Sequence, residues 1–474
     1  MLLALVVMTA SAQERFQRRP CMRFDDDARA NTRALPEPLR DWDPTRTYHQ
    51  VVLLVEFADS TFSMENPKTY YDQLLNLTTS NTRGGVGCAA DYFRDQSKGL
   101  FNVQFDVYGP IKVSQSAKTK YDNYGEEASK EAIKKSVDSL HVDYTPYDWN
   151  NDGLVEQVVV IAANYCANGG NADFSKFIWP NTGFISKVNV SGDKKVNQIS
   201  VSAEKWYNDI PCGIGTIVHE YTHCLGLPDL YPVSGTLFSM VDEWDLMDGG
   251  NFTGWGWCPP NFSAFEKNLL NWLDIEEISE PCNISDMKPV ADGGKAYKMT
   301  KEGNEFYLME NRQQTGWDIG LPGKGLTIYH INYNATDWKY NNVNTPSNYR
   351  YTLLHADGMD YDAWDEYVAV KHLSEYVNDN RMNRRHLSTS AYPFVSDTSE
   401  VRKCDETPML ISHIELSDAG TISFAVENGT GMEAIDNGQL IIDNCDWYDL
   451  QGRKLNGKPT RKGLYIHNRK KVIF

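Results

Sequence analysis

His219-Glu-Tyr-Thr-His223-Cys-Leu-Gly226-Leu-Pro-Asp229 gathers two imidazoles and two carboxylates into eleven residues. Histidines at i and i+4 share one face of a helix, so both can reach a single metal ion. Glu220 follows the first of them and points to the side where a water on that metal would sit. This is the spacing of a zinc hydrolase, in which the metal acidifies a water and a carboxylate takes its proton. Catalytic zinc usually holds three protein ligands, so one is still to be found. Gly226 stands where a helix that must stop favours a left-handed residue. Leu227-Pro228 then turns the chain and can carry Asp229 back as third ligand. A rival, Glu243, lies 24 residues beyond His219 (243 − 219). It is disfavoured because Pro232, Gly235 and Glu243-Trp-Asp-Leu-Met-Asp-Gly249 read as turn rather than helix.

The string HExxHxxGxxD, followed by Trp244-Asp-Leu-Met247-Asp-Gly-Gly250, resembles the immune inhibitor A family of secreted metallopeptidases in the metzincin clan. Val51–Asp59, Asp91–Gly99, Glu305–Arg312 and Leu321–His330 are similar to the same family, so the likeness spans roughly residues 45–335. The resemblance implies a zinc endopeptidase with His219, His223 and Asp229 as ligands and Glu220 as general base. It also implies that Met247 forms a methionine turn, packing under the imidazoles without binding metal. The usual metzincin pattern ends in histidine where this chain has Asp229. Some metzincins carry a tyrosine two residues after the methionine, and Gly249 stands there instead.

Asp148-Trp-Asn150-Asn-Asp152-Gly153-Leu-Val-Glu156 sets oxygen side chains at alternate positions before a glycine. Calcium loops do this, because a hard cation needs several oxygens and a sharp bend. Val159 occupies position twelve, where a bidentate glutamate is expected, and Glu156 compensates in part. An Asx-rich turn has the same composition. Cys21 and Asp25–Asp27 are candidates to cap the zinc before activation, against the plainer reading of a solvated segment. His330 is an outside candidate for substrate contact; the remaining histidines read as structural.

These groups must be held by a chain of 474 residues, longer than one hydrophobic core usually serves. Lysine plus arginine less aspartate plus glutamate is 46 − 64 = −18, which argues against a nucleic-acid partner. Residues 1–12 read as a signal peptide, with Ala10-Ser-Ala12 as a small-residue cleavage site. Residues 13–44 read as a polar pro-region or extended leader, 45–290 as the metallopeptidase domain and 291–427 as a β-rich domain, a sandwich. Residues 428–474 form a tail. Its Trp447–Arg453 and Lys462–Ile466 resemble the sorting signals of the type IX secretion system, implying secretion machinery as a partner and an extracellular or cell-surface location; a final β-hairpin is the alternative. No run is long and apolar enough for a transmembrane span. The nine cysteines contain no CxxC pair and an odd number, so a cysteine-based zinc site is disfavoured.

The expected fold class is α/β (α+β), metzincin-like, with the β-rich domain after it. Strands are expected at Val51–Phe57, Phe101–Val113, Val158–Ala162 and, as an edge, Gln198–Ser202. Helices are expected at Tyr70–Leu77, Ala89–Phe93 and Gly125–Leu140. Ile214–Leu225 is the zinc helix, with Ile214, Ile217, Val218, Tyr221 and Leu225 facing the core. Phe306–Met309, Leu326–Ile331, Met409–Ile414 and Thr421–Val426 read as strands around a long polar and aromatic stretch from Asn332 to Asn383. The function these readings imply is a zinc-dependent endopeptidase acting on proteins or peptides. The alternative is a non-catalytic adhesin or binding protein on a metallopeptidase scaffold.

Overall fold

The computed structural model describes residues 22–23, 35–78, 85–118, 126–167, 177–206, 209–233, 240–345, 348–358, 387–394, 407–428, 447–448, 464–467 and 470–473. Among these the structure mixes α and β, with several sheets and few, short helices. The first sheet holds β1 (Met22–Arg23), β2 (Thr47–Glu56), β3 (Asn102–Lys112), β4 (Leu154–Val155), β5 (Val158–Tyr165), β6 (Asn181–Asn189) and β7 (Lys195–Lys205). Its order is β1-β6-β7-β5-β2-β3, with β4 beside β7. Strands β3, β2, β5 and β7 run parallel, while β6 turns antiparallel to β7.

A parallel sheet covered on both faces needs apolar side chains on both, which explains the unbroken Val51–Val55 run. Val52 and Leu54 pack with Tyr71 and Leu74 of α1 (Pro67–Asn76) and Tyr92 of α2 (Ala89–Gln96). Val51, Leu53 and Val55 pack with Ala128, Ala132 and Ile133 of α3 (Glu126–Asp138) on the other side. Expected and observed elements agree here to within a few residues.

One expectation is corrected. Gln198–Ser202 is not an edge, because β7 lies between β6 and β5. Its Ile199 and Val201 enter the α3-side core, so Gln198, Ser200 and Ser202 alternate onto the opposite face. Their polarity reflects what they meet there: Gln198 Nε2 donates to Cys224 Sγ at 3.0 Å. The strand outside it, β6, was not expected from the sequence at all.

The metal helix α4 (Gly215–Thr222) continues as a 3₁₀ turn through His223–Leu225, and every residue in both is buried. Ile214, Ile217, Val218, Tyr221 and Leu225 face the core as expected. Gly213 precedes α4 because a Cβ there would sit 2.3 Å from the Gly256 backbone. Gly226 ends it at φ +96°, a left-handed residue, with a further constraint: a Cβ would meet Pro36 O and Pro38 N at 2.7 Å.

That contact shows where residues 35–42 go. Leu35 N donates to Lys339 O at 2.8 Å, and Leu39 N to Leu225 O at 3.3 Å. Trp42 packs on Phe101 and Trp272, with Nε1 donating to Leu270 O at 2.6 Å. Residues 35–42 therefore lie folded against the end of the metal helix.

After α5 (Ala264–Leu269), the chain enters β8 (Ile275–Glu277), β9 (Cys282–Met287), β10 (Ala296–Glu302), β11 (Glu305–Arg312) and β12 (Gly325–Asn332). Next come α6 (Ala335–Lys339), the pair β13 (Asn344–Thr345) and β14 (Asn348–Tyr349), β15 (Tyr351–Leu354), β16 (Leu410–Leu416) and β17 (Ile422–Glu427). One sheet is β15-β12-β11-β10-β8 and another is β16-β17-β9. Tyr307, Met309 and Ile328 share a core with Ile411, Ile422 and Phe424 of the smaller sheet. On the opposite face of the larger sheet, Phe306, Leu308, Tyr329 and Ile331 join the core that contains α4. The larger sheet is thus buried on both sides, which gives Phe306–Met309 its continuous apolar character. The stretch after Asn332 is more ordered than its composition suggests, carrying α6 and three strands before residue 359. At the carboxyl end β18 (Trp447–Tyr448), β19 (Leu464–His467) and β20 (Lys470–Ile473) pair antiparallel. Among the described residues, no helix is long and apolar enough to cross a membrane.

Candidate metal centre

His219 projects from α4 and His223 from the 3₁₀ turn that continues it, and Asp229 returns to them after the Gly226 turn. Asp229 Oδ1 lies 3.2 Å from His219 Nε2 and 3.4 Å from His223 Nε2. Among the described residues these three form the one cluster of at least three His, Cys, Asp or Glu ligand atoms within 4.8 Å of one another. All three are buried, at 1 %, 0 % and 0 % exposure. Glu243, the rival ligand, is not in this cluster and lies in the short 3₁₀ turn Asp242–Trp244.

Hydrogen bonds to the far side of each ring decide what the ring presents inward. His219 Nδ1 lies 2.8 Å from Leu246 O, and His223 Nδ1 lies 2.7 Å from Leu227 O. A carbonyl oxygen has no proton to give, so each Nδ1 must be the donor. Free of a second proton, as a metal would require, each ring turns its Nε2 lone pair toward Asp229. Two lone pairs and a carboxylate oxygen therefore converge. Four-coordinate zinc, with bonds of ~2.0–2.1 Å, spaces neighbouring ligand atoms about 3.3 Å apart. The residues fit that ion.

Asp229 has a second partner that the sequence did not suggest. Asn341 Nδ2 donates to Asp229 Oδ2 at 2.7 Å, and Asp229 N donates back to Asn341 Oδ1 at 2.6 Å. Neither His–X–X–X–His spacing nor turn chemistry points to a residue 112 positions away. Thr182 of β6 was missed for the same reason. Its hydroxyl lies 2.6 Å from Glu220 O and 3.0 Å from Glu220 Oε2, tying β6 to the candidate base. At this same place β1 pairs parallel to β6, Met22 with Thr182 and Arg23 with Gly183. Cys21 and Asp25–Asp27 lie outside the described residues.

Met247 is fully buried in the core of α4, and its carbonyl accepts from Leu230 N at 2.8 Å, one residue past Asp229. Its turn is held by charges from the β-rich region. Glu310 and Arg312 share a face of β11 with Phe306 and Leu308, so they point at the turn. Arg312 bonds Asp318 through two nitrogens at 2.8 and 2.7 Å, and reaches Glu310 at 3.1 Å and Trp244 O at 3.2 Å. Burial, then the Glu266 charge, pushes the Asp245 carboxyl well above its usual range.

The candidate calcium loop is arranged differently. Asp148 Oδ1 accepts from Asp152 N at 3.1 Å, and Oδ2 accepts from Gly153 N at 2.9 Å and Lys194 Nζ at 2.7 Å. Asn150 Oδ1 accepts from Asp152 N and Asp152 Oδ1 from Leu154 N. Both Glu156 oxygens accept from Trp149 N. The four residues stand together, with their oxygens on their own amides and an ammonium against Asp148. His330, the candidate substrate contact, stacks on Tyr307 and bonds Glu305 Oε1 at 2.8 Å. It lies on the face of β12 turned away from α4, because Tyr329 and Ile331 on either side of it face the α4 core.

Comparison with known proteins bears on residues 44–274, which match the family described as immune inhibitor A peptidase M6, catalytic domain. The chain is similar to immune inhibitor A of Bacillus thuringiensis subsp. alesti, 25% identical over 287 residues, covering 48% of this chain and 41% of that protein. It is also similar to the pre-pro-metalloprotease PrtV of Vibrio cholerae serotype O1 (strain M66-2), 22% identical over 278 residues, 50% of this chain and 30% of that protein. The chain thus spans less than half the length of these relatives. Over residues 44–274 the chain is thus similar to a peptidase M6 catalytic domain of the immune inhibitor A kind.

Proposed function

We propose that this protein is a secreted, zinc-dependent endopeptidase of the metzincin clan. The observation that carries the reading is the convergence of His219 Nε2, His223 Nε2 and Asp229 Oδ1, with both imidazole protons committed to carbonyls. When bound, zinc supplies Lewis acidity that polarises the scissile carbonyl and lowers the pKa of water. Glu220 accepts a proton from the attacking water and returns it to the leaving amine. Thr182 steadies that carboxylate and fixes β6 alongside it. Calcium stays outside this reading, because Lys194 Nζ stands where a cation would neutralise Asp148.

Secretion rests on the apolar residues 1–12 and on the likeness of the tail to type IX sorting signals, which gives an extracellular or cell-surface location. The decisive measurement is zinc content together with casein cleavage, with and without a chelator. Glu220→Gln should retain zinc and lose roughly 10²–10⁴-fold in turnover, the usual contribution of a general base. Full casein hydrolysis by that variant would refute the role of Glu220. Zinc without cleavage in the wild type would favour the non-catalytic scaffold.

A further inference from the structure

The structure assigns Asn341 as the residue that positions Asp229 for metal binding, so that the metal centre is completed from the β-rich region. This rests on the zinc reading above and adds to it. Asn341 lies 67 residues beyond the last position that matches the peptidase family (341 − 274).

The pairing has only one orientation. Asp229 N is a donor and must meet the amide oxygen; Asp229 Oδ2 is an acceptor and must meet the amide nitrogen. With Nδ2 on Oδ2 at 2.7 Å, it is Oδ1 that faces the two imidazoles. Asn341 thus selects a one-oxygen ligand and stops the carboxylate from rotating. Its backbone is left-handed at φ +53°, a conformation asparagine tolerates better than most residues. It is locked there by Asn341 N donating to Trp338 O at 3.2 Å at the end of α6, and it is 4 % exposed. Nearby, Asn344 Nδ2 donates to Leu230 O at 2.6 Å, so the same segment also grips the residue after the ligand.

Glycine and aspartate both accept the left-handed backbone, so Asn341→Gly and Asn341→Asp test the amide without straining the chain. Full-length protein, stripped of metal and checked by circular dichroism, is titrated with zinc against a competing chelator. The visible spectrum of the cobalt form is recorded in parallel. Asn341→Gly should weaken zinc binding by about 10–100-fold, the usual effect of losing a hydrogen bond to a ligand. Asn341→Asp should weaken it further, by setting a second carboxylate against Oδ2. The cobalt bands should shift in both variants, which a remote packing role would not cause. Binding within twofold of wild type and an unchanged cobalt spectrum would overturn the assignment. X-ray absorption of the zinc-loaded wild type needs no variant; a two-oxygen carboxylate ligand would overturn it equally. A wild type that takes up no zinc would instead sink the reading on which this inference rests.

Discussion

The candidate metal centre and the Asp148–Glu156 loop are both clusters of ligand-type side chains, and they differ in where their lone pairs point. At the centre, outer atoms are tied off: Nδ1 of each imidazole to a carbonyl, and Asp229 Oδ2 to Asn341. The inner atoms are left converging. In the loop, the carboxylates face inward onto the amides of their own turn, and Lys194 supplies the charge. Residue type and spacing admit a cation at both places. Hydrogen bonding to the atoms that do not bind metal is what separates them.

The largest effect should come from unmaking the centre. His223→Ala leaves two ligands, and both zinc content and casein cleavage should fall to the level of chelator-treated protein. Zinc retained at one per chain would break the contrast, because another residue would then be completing the site. In the loop, Lys194→Met leaves Asp148 buried without its partner. It should destabilise the fold by about 1–3 kcal/mol in urea unfolding, below the usual cost of breaking a fully buried pair because Lys194 is partly exposed. Millimolar calcium should not change wild-type stability; a rise of several degrees in Tm would show that the loop opens to bind it.

An effect no larger than that of Lys194→Met concerns pH. Burial and the charges of Asp148 and Asp152 push the Glu156 carboxyl up to about 7 from 4.5, against the opposing Trp149 amide. Because the folded value is raised, the native state holds the proton longer. Stability should therefore decline as pH rises from 4.5 through 7. Glu156→Gln should flatten that decline and be more stable than wild type at pH 8, by about 1–3 kcal/mol after discounting for partial exposure. A steeper decline in the variant would show that the loop prefers the charged form, as a calcium site would.

What was legible in the sequence followed from local rules. Histidines four apart, a stop glycine and an acid three residues on give the candidate ligand set, and the structure brings those three side chains together. Val51–Val55 reads as a covered strand because five apolar residues in a row have few other uses. Asn341 and Thr182 were illegible because their roles arise from contacts across long separations, and neither asparagine nor threonine is unusual in a loop or strand. Strand β6 hid because Asn181–Asn189 mixes polar and apolar residues without clean alternation, and part of its pairing shifts register. Strand β7 was misplaced because serines on its helix-facing side imitate a solvent-facing edge.

The passage of residues 35–42 over Gly226 has a consequence for how the amino end can be trimmed. A cut upstream of Leu35 would remove chain without disturbing the knot of Trp42, Phe101 and Trp272. A cut downstream of it would strip cover from Leu225, at the foot of the helix that bears both histidines. Residues 35–42 behave as a clasp on the end of the helix that bears His219, and a cut compatible with an intact helix end falls before them.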